Sequence, residues 1–151
     1  MNVRYATNKD AKSIIENNIL LAKESENETL NPPTVKKGVK ALLCHPEKGF
    51  YLVVEEKSCI IGQLMITYEW SDWRNTAIWW IQSVYVKKKH RKKGVFSILF
   101  QEIRKQAKKQ HIPLLRLYVH KTNINAQNVY EKRNMIKGNY LLFEIPVEHE
   151  Q

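Results

Sequence analysis

A phosphate-binding turn is the clearest chemical feature of this sequence, and it lies between residues 80 and 109. Ile81–Val86 has the apolar pattern of a buried strand, Lys87–Lys93 contains six lysine and arginine residues, and Gly94 opens a segment of helical periodicity. The first N–H groups of a helix have no acceptor within that helix and attract anions. Glycine lets the backbone approach a phosphate closely, and basic side chains bind further phosphate oxygens. The spacing therefore predicts phosphate at this turn and leaves the phosphate compound open.

The net charge of the chain is concentrated around the same turn. The sequence has 25 lysine and arginine residues against 15 aspartate and glutamate residues, a formal net charge of +10. Ten of the basic residues lie between 87 and 109, where Glu102 is the one acidic residue. A local field of this kind favours an anionic partner such as a nucleic acid, a membrane surface or a small polyphosphate. Because the charges surround a glycine and a helix start, we favour a small polyphosphate over a nucleic acid.

The composition excludes several other classes of protein. A length of 151 residues predicts one domain, 1–151, and a hydrophobic fraction of 43% argues against a disordered chain. Two cysteines, Cys44 and Cys59, are too few for a disulfide framework or a zinc cluster, and we expect both to be buried and inert in a reducing cytoplasm. The five histidines lack metal-site spacing, so we expect no metal. No apolar run is long enough to cross a membrane, and the first residues lack the apolar centre of a signal peptide.

The elements that must position the turn follow from the periodicity of the apolar residues. Pro32-Pro33 is expected to break the chain between the first two helices. The segment that begins at Gly94 is expected to continue as a helix until Pro113. The resulting order is strand, two helices, three antiparallel strands, helix, strand, helix, strand, which is a mixed α/β arrangement rather than a regular βαβ repeat. The remaining expected helices are 9–25, Thr34–Cys44 and Asn123–Arg133, and the expected strands are Val3–Ala6, Phe50–Glu56, Cys59–Trp70, Thr76–Val86, Leu114–Val119 and Tyr140–Ile145.

Two motifs in this order resemble those of a known enzyme family. Arg91-Lys92-Lys93-Gly94-Val95-Phe96 is similar to the acetyl-CoA-binding loop of the GNAT superfamily of N-acetyltransferases, whose pattern is Arg/Gln-x-x-Gly-x-Gly/Ala. Phe96 departs from it, since the family has glycine or alanine there, and we expect its side chain to point away from the cofactor. The segment from Asn123 to Tyr130 fits the family's Asn-x-x-Ala-x-x-x-Tyr pattern. The resemblance implies a GNAT-like α/β (α+β) fold, a mostly antiparallel central sheet flanked by helices and splayed at strands 78–87 and 114–120.

The resemblance also implies roles for individual residues. Backbone N–H groups of the loop would bind the pyrophosphate of acetyl-CoA, and the strand before the loop would pair with the pantetheine arm as an added strand. An N–H group of that strand would polarise the thioester carbonyl, and Tyr130 would protonate the leaving thiolate. The residues implied for cofactor binding are Val84, Tyr85, Val86, Arg91, Lys92, Lys93, Gly94, Val95, Phe96, Ser97 and Asn123.

The general base is the open position in this scheme. Gln82 stands at about the place where many relatives keep a carboxylate, and an amide cannot usefully accept a proton. Glu69 and His120 are the remaining side-chain candidates, with a water chain or a backbone carbonyl as the alternatives. We take Glu69 as the catalytic candidate, together with Tyr130.

The resemblance predicts an enzyme that transfers the acetyl group of acetyl-CoA to a primary amine, without an acyl-enzyme. We expect the amine to belong to a small molecule, and the resemblance also allows a homodimer. A catalytically silent CoA-binding domain and a basic nucleic-acid-binding module are the alternatives, although we consider nucleic acid the less favoured partner. Most of the four tryptophans are expected to pack in the core or on a sheet face, with one or two at the acceptor pocket. The carboxylates of Glu24, Glu26 and Glu28 are expected either to be solvated or to rim that pocket.

Overall fold

The computed structural model describes residues 1–147, which group into two compact units, Met1–His120 and the described part of Lys121–Gln151. The expectation of a single domain, 1–151, stays a prediction. The first unit contains strands β1 to β5 and helices α1 to α3, and the second contains α4. The strands are β1 (Asn2–Tyr5), β2 (Gly49–Glu56), β3 (Cys59–Ser71), β4 (Thr76–Val86) and β5 (Leu115–Arg116), and the helices are α1 (Ala11–Ser25), α2 (Pro32–Cys44), α3 (Val95–Lys109) and α4 (Ile124–Glu131).

The sheet has the strand order β1-β2-β3-β4-β5, and its first four strands run antiparallel to their neighbours. β5 runs parallel to β4 and pairs with it at only two positions, Trp79 with Leu115 and Trp80 with Arg116. Because this ladder ends at Trp80 while β4 continues to Val86, the two strands separate beyond that point. The observed β5 is shorter than the expected Leu114–Val119. The mixed, mostly antiparallel and splayed sheet predicted from the sequence is confirmed.

Helices cover both faces of this sheet. α1 and α2 pack on one face through a core cluster that includes Ile14 and Val39 of the helices with Tyr51 and Val53 of β2. Alternate residues of a strand point to opposite faces, so Leu52, which is 1% exposed, belongs to the other face with α3. The residues that α3 buries are Val95, Leu99, Phe100, Ile103 and Ala107.

The first helix begins at a charged cluster. The Asp10 carboxylate accepts hydrogen bonds from the N–H and hydroxyl of Thr7, at 2.7 and 3.1 Å, in the manner of a capping box. Arg4 donates to Asp10 at 2.8 Å and also to Glu55 on β2. These hydrogen bonds from Arg4 lower the pKa of Asp10 although burial opposes the shift. Helix α1 therefore begins at Ala11, after a short 3-10 turn, Asn8–Asp10, rather than at residue 9 as expected.

The second helix starts two residues earlier than expected. Pro32 and Pro33 occupy its first two positions, where proline fits because those N–H groups have no acceptor in the helix. The Asn31 side chain caps the helix by accepting a hydrogen bond from the N–H of Thr34 at 2.9 Å. The proline pair thus opens α2 rather than breaking the chain before it.

Two expectations about the fold are wrong. Tyr140–Ile145 is not a strand, and large apolar side chains of this segment, such as Phe143 at 86%, are exposed. Its β-rich composition reflects a local preference, whereas a strand needs a ladder to a neighbouring strand. Cys44 and Cys59 are both exposed rather than buried, because they lie at the end of α2 and directly after the β2–β3 turn.

Candidate active site

A β-bulge interrupts β4 just before its end. Gln82 lies opposite Met65 and Tyr85 lies opposite Gln63, so two residues of β4, Ser83 and Val84, face one residue of β3. Ser83 has a φ of 49°, a left-handed conformation that a non-glycine residue adopts at a local cost. Bulges of this kind redirect the backbone groups that follow them and are common beside active sites.

The bulge changes which backbone groups face the gap between β4 and β5. Before it, the N–H of Trp79 donates to the Leu114 carbonyl at 3.1 Å, so the odd-numbered residues face β5. After it, the N–H of Lys87 donates to Ile61 of β3 at 3.0 Å. Since backbone groups alternate between the two edges of a strand, Val84 and Val86 face the gap. The bulge therefore turns the backbone groups of Val84 and Val86, two of the strand residues implied for cofactor binding, towards the splayed edge.

The basic loop leads from this edge to the start of α3. Lys88–His90 forms a 3-10 turn, and Gly94, with a φ of 81°, is the cap residue of α3. Gly94 provides no side-chain cap, and a Cβ atom placed there would meet nothing within 4 Å. Lys92 and Lys93 are exposed beside it. The helix start thus has the open space and positive charge that an anion site requires.

A second glycine sets how closely α3 approaches the sheet. A Cβ atom at Gly62 of β3 would lie 2.5 Å from Cγ1 of Val95, the first residue of α3. Val95 is 1% exposed, so the helix start is packed on the strand at this point. Gly62 therefore allows the first turn of α3 to lie directly on the sheet beside the end of β4.

One loop residue, Arg91, differs from the sequence-based expectation, whereas Phe96 agrees with it. The N–H of Arg91 donates to the Lys88 carbonyl at 3.3 Å, so this N–H belongs to the loop's own turn. The backbone that remains for an anion begins at Lys92. The Phe96 ring stacks on Phe100 one turn further along α3, with ring centroids 5.6 Å apart. Its side chain thus follows the helix rather than filling the space above the Gly94 turn.

A carboxylate from α1 holds the side chain of Arg91. Nη2 of Arg91 lies 2.5 Å from Oε2 of Glu24, and the Tyr85 hydroxyl donates to Oε1 of the same carboxylate at 3.1 Å. Burial alone would raise the pKa of Glu24, but the hydrogen bonds and charges from Arg91, Tyr85 and Lys88 lower it. Burial, followed by the contact with Glu24, raises the pKa of Tyr85. Glu24 is therefore tied to the basic loop, which neither sequence-based reading of this residue foresaw.

The other end of β4 carries a second charged cluster. Oε1 of Glu69 accepts a hydrogen bond from Nη1 of Arg116 at 3.0 Å, and Oε2 accepts one from the indole N–H of Trp80. The Trp80 ring also lies near Tyr118, with centroids 6.0 Å apart. The structure thus places the carboxylate proposed as the general base in a half-buried setting beside the Trp80 ring.

The other two positions considered for the general base are Gln82, which lies on β4, and His120, which follows β5 in the chain. The Gln82 amide donates to the hydroxyl of Thr67 at 2.6 Å, which occupies it in a strand-to-strand contact. His120 is exposed at the end of the first unit. Among the three, only Glu69 is a carboxylate with both oxygens held by neighbouring donors.

The four tryptophans have different environments. Trp79 is 2% exposed in the core, Trp80 is half-buried beside Glu69, and the side chains at the β3–β4 turn are exposed, Trp70 at 66% and Trp73 at 88%. Trp79 therefore fits the expected core packing and Trp80 lies on the sheet face, whereas the exposed side chains of Trp70 and Trp73 depart from the expectation.

The two motif residues of the downstream element belong to the second unit. Asn123 caps α4, because its side-chain oxygen accepts a hydrogen bond from the N–H of Ala126 at 3.1 Å. Tyr130 lies two helical turns further along the same helix, and burial raises its pKa. A neutral phenol at physiological pH is the form that can donate a proton.

Three functional features were missed by the sequence-based reasoning: the Ser83 bulge, the close approach at Gly62 and the anchoring of Arg91 by Glu24. A glycine inside a strand commonly marks a close backbone approach, so Gly62 offered a usable signal. Ser83 and Glu24 offered none, because both depend on pairing with residues distant in sequence.

Residues 1–147 contain neither a candidate membrane span nor a candidate metal site. No helix there is both long and apolar enough to cross a membrane. No group of three or more metal-binding side chains comes together in this part of the chain.

The chain is similar to known acetyltransferases in both sequence and structure. Residues 18–135 match the model of the acetyltransferase (GNAT) family. A possible acetyltransferase from Clostridium difficile 630 is 45% identical, with a TM-score of 0.92 and 98% of each chain covered. No protein in the curated set matches the sequence.

More distant structures share the fold. A predicted acetyltransferase of Clostridium acetobutylicum with acetyl-CoA is 18% identical, with a TM-score of 0.78 and 95% of each chain covered. An aminoglycoside antibiotic 6'-N-acetyltransferase from Acinetobacter haemolyticus is 14% identical, with a TM-score of 0.74, covering 98% of this chain and 100% of its own. The splayed sheet, the family match and the 45% identical relative together show that this chain belongs to the GNAT acetyltransferase family and is an acetyl-CoA-dependent N-acetyltransferase.

Proposed function

We propose that this protein transfers the acetyl group of acetyl-CoA to the primary amine of a small molecule, by direct attack of the amine in a ternary complex. The observation that carries the proposal is the Ser83 bulge, which turns the backbone of Val84 and Val86 towards the gap beside β5. A pantetheine arm in that gap would pair with β4 as an added strand.

The cofactor would continue from the gap to the start of α3. Its pyrophosphate would lie at Lys92–Ser97, where the helix start, Gly94 and two exposed lysines supply backbone N–H groups and positive charge. The space above Gly94 supports this placement, because nothing lies within 4 Å of a Cβ atom there. Asn123 would contact the pantetheine region, as the resemblance implies.

Two side chains would move protons in the reaction. Tyr130 would donate a proton to the leaving thiolate, and its raised pKa keeps the phenol protonated at neutral pH. Glu69 would accept the proton of the attacking ammonium, since each carboxylate oxygen retains a lone pair beyond its bond to Trp80 or Arg116. The N–H of Val84 would polarise the thioester carbonyl.

The setting of Glu69 supports a small amine as acceptor. A half-buried carboxylate that accepts a hydrogen bond from the Trp80 indole can hold an ammonium group through charge, and the Trp80 ring, which lies near Tyr118, offers an aromatic face. Arg116 neutralises part of that charge, which disfavours acceptors that carry many positive charges at this point. Homodimer formation and a cytoplasmic location are further proposals, which rest on the resemblance and on the free cysteines.

Calorimetric titration with acetyl-CoA, followed by a thiol-release assay against a panel of amines, tests the proposal. We expect micromolar binding of acetyl-CoA and release of CoA with at least one small primary amine. No binding at millimolar acetyl-CoA would contradict the proposed cofactor site. Binding without CoA release for any amine would favour the catalytically silent alternative, and binding of oligonucleotides in its place would favour the nucleic-acid module.

A further inference from the structure

Glu24 contacts three groups at the point where β4 becomes the basic loop. Its carboxylate lies 2.5 Å from Nη2 of Arg91, 3.5 Å from Nζ of Lys88 and 3.1 Å from the Tyr85 hydroxyl. The Glu24 side chain is only 19% exposed, whereas that of Lys88 is 70% exposed. The contact with Arg91 is the shortest of the three although the Arg91 side chain is itself 43% exposed, and the Tyr85 hydroxyl belongs to a buried residue.

Three contacts hold the guanidinium of Arg91, whose side chain is 43% exposed. Its Nε donates to the Val86 carbonyl at 2.8 Å, its Nη2 pairs with Glu24, and its plane lies over the Tyr85 ring at 5.5 Å. A free arginine side chain samples many rotamers, and a planar fork loses fewer of them for each bond that it forms. One carboxylate from α1 thus immobilises the residue that leads into Lys92 and Gly94.

We propose that Glu24 is a positioning residue for the cofactor loop, holding Arg91 against the Val86 carbonyl so that the backbone from Lys92 to Gly94 keeps its anion-binding form. The inference rests on the proposed acetyl-CoA site. Glu24 lies in the last turn of α1, directly before the segment 26–31 that leads to α2. The same contact therefore ties this segment to the loop.

Electrostatics and positioning predict opposite effects when the charge of Glu24 is removed. Glu24→Gln makes the loop more positive, and charge alone would then tighten the binding of an anionic cofactor. Loss of the Arg91 anchor frees the loop. The loop must then be ordered when acetyl-CoA binds, and this cost weakens the binding of acetyl-CoA. The sign of the change in acetyl-CoA affinity therefore distinguishes the two roles.

The experiment measures the acetyl-CoA Kd by calorimetry, and KM and kcat where an amine substrate is known. For Glu24→Gln we expect the Kd to rise about 5- to 10-fold, with kcat at saturation within about 2-fold of wild type. Glu26→Gln is the matched control, because it removes the same charge from an exposed neighbour and should leave the Kd unchanged or slightly lower. Tyr85→Phe keeps the ring beneath Arg91, loses the bond to Glu24 and should raise the Kd about 2-fold.

Several outcomes would overturn the inference. An unchanged or lowered Kd in Glu24→Gln would show that the carboxylate contributes charge and not position. A lower melting temperature with a reduced active fraction but an unchanged Kd would assign it a purely structural role, and Tyr85→Phe would then also leave the Kd unchanged. Absence of acetyl-CoA binding by the wild type would overturn the proposed function and this inference together, whereas binding by the wild type with no change in the variants overturns the inference alone.

Discussion

The two ends of β4 each carry a carboxylate held by an arginine, but the two clusters differ in origin and in charge. At the start of the strand, Glu69 comes from the adjacent strand and pairs with Arg116. At its end, Glu24 comes from α1, 67 residues away from Arg91 in sequence. About 20 Å of strand separates Trp80 from Val86. One strand therefore connects two charged clusters that were assembled by different parts of the chain.

The charge balance at the two ends is also different. One carboxylate faces one guanidinium at the start, whereas at the end Glu24 and Glu56, the latter beside His90, face a loop with six lysine and arginine residues. An excess of positive charge suits a polyphosphate, and a balanced half-buried cluster suits an amine that exchanges a proton. We therefore propose that the cofactor and the acceptor are recognised at different ends of β4, and the following variants probe the two ends separately.

The largest effect is expected in the chemical step itself. Tyr130→Phe removes the proposed acid and should lower kcat about 100-fold, because proton donation by a placed side chain contributes that order of rate. The acetyl-CoA Kd should stay within 2-fold of wild type, since the ring remains. Tyr140→Phe, which alters an exposed phenol, is the control. Unchanged turnover in Tyr130→Phe would remove this residue from the mechanism.

Glu69→Gln removes the carboxylate from the cluster at the start of β4. We expect kcat/KM for the amine to fall about 30-fold, because an amide cannot accept the proton of the ammonium, while the acetyl-CoA Kd stays the same. Glu16→Gln, an exposed carboxylate on α1, should have no effect. A loss that affects acetyl-CoA affinity as strongly as amine turnover would contradict the separation of the two ends.

The double variant Lys92→Ala/Lys93→Ala removes two positive charges from the basic loop that follows the end of β4. The acetyl-CoA KM should rise about 10-fold and become less sensitive to salt, because two charges beside the proposed phosphate site are lost. Lys108→Ala/Lys109→Ala removes the same charge at the far end of α3 and serves as the control. An equal rise in both variants would show that the general field of the helix, and not the loop, attracts the cofactor.

A smaller effect is expected at Gly62, which sets the distance between α3 and the sheet. Gly62→Ala places a methyl group 2.5 Å from Cγ1 of Val95, so we expect about 1–3 kcal/mol lower unfolding free energy and a several-fold weaker acetyl-CoA affinity. Gly38→Ala in α2, where a Cβ atom would meet nothing within 4 Å, should raise stability instead. Chemical denaturation and calorimetry give the two quantities. Unchanged affinity would show that the cofactor loop tolerates a displaced helix start.

Most of the local structure could be predicted from the sequence, because it depends on residues close together in the chain. The helix periodicity of α1 and α3, the hairpin of β2 and β3, and the Gly94 turn all follow from short-range spacing. The resemblance of the 91–96 loop and of the Asn123–Tyr130 segment to the GNAT motifs also rests on residues that are close together in the chain. Tyr140–Ile145 shows the limit, because a local preference for strand structure formed no ladder.

The sequence by itself determined the elements, the concentration of positive charge and the family motifs. Only the tertiary structure decided the partner of Arg91, the direction of the Val84 and Val86 backbone groups and the environment of Glu69. The physical reason is that these features depend on pairings across the sheet and between α1 and β4. Such pairings are chosen by the packing of whole faces, and no spacing along the chain reports them.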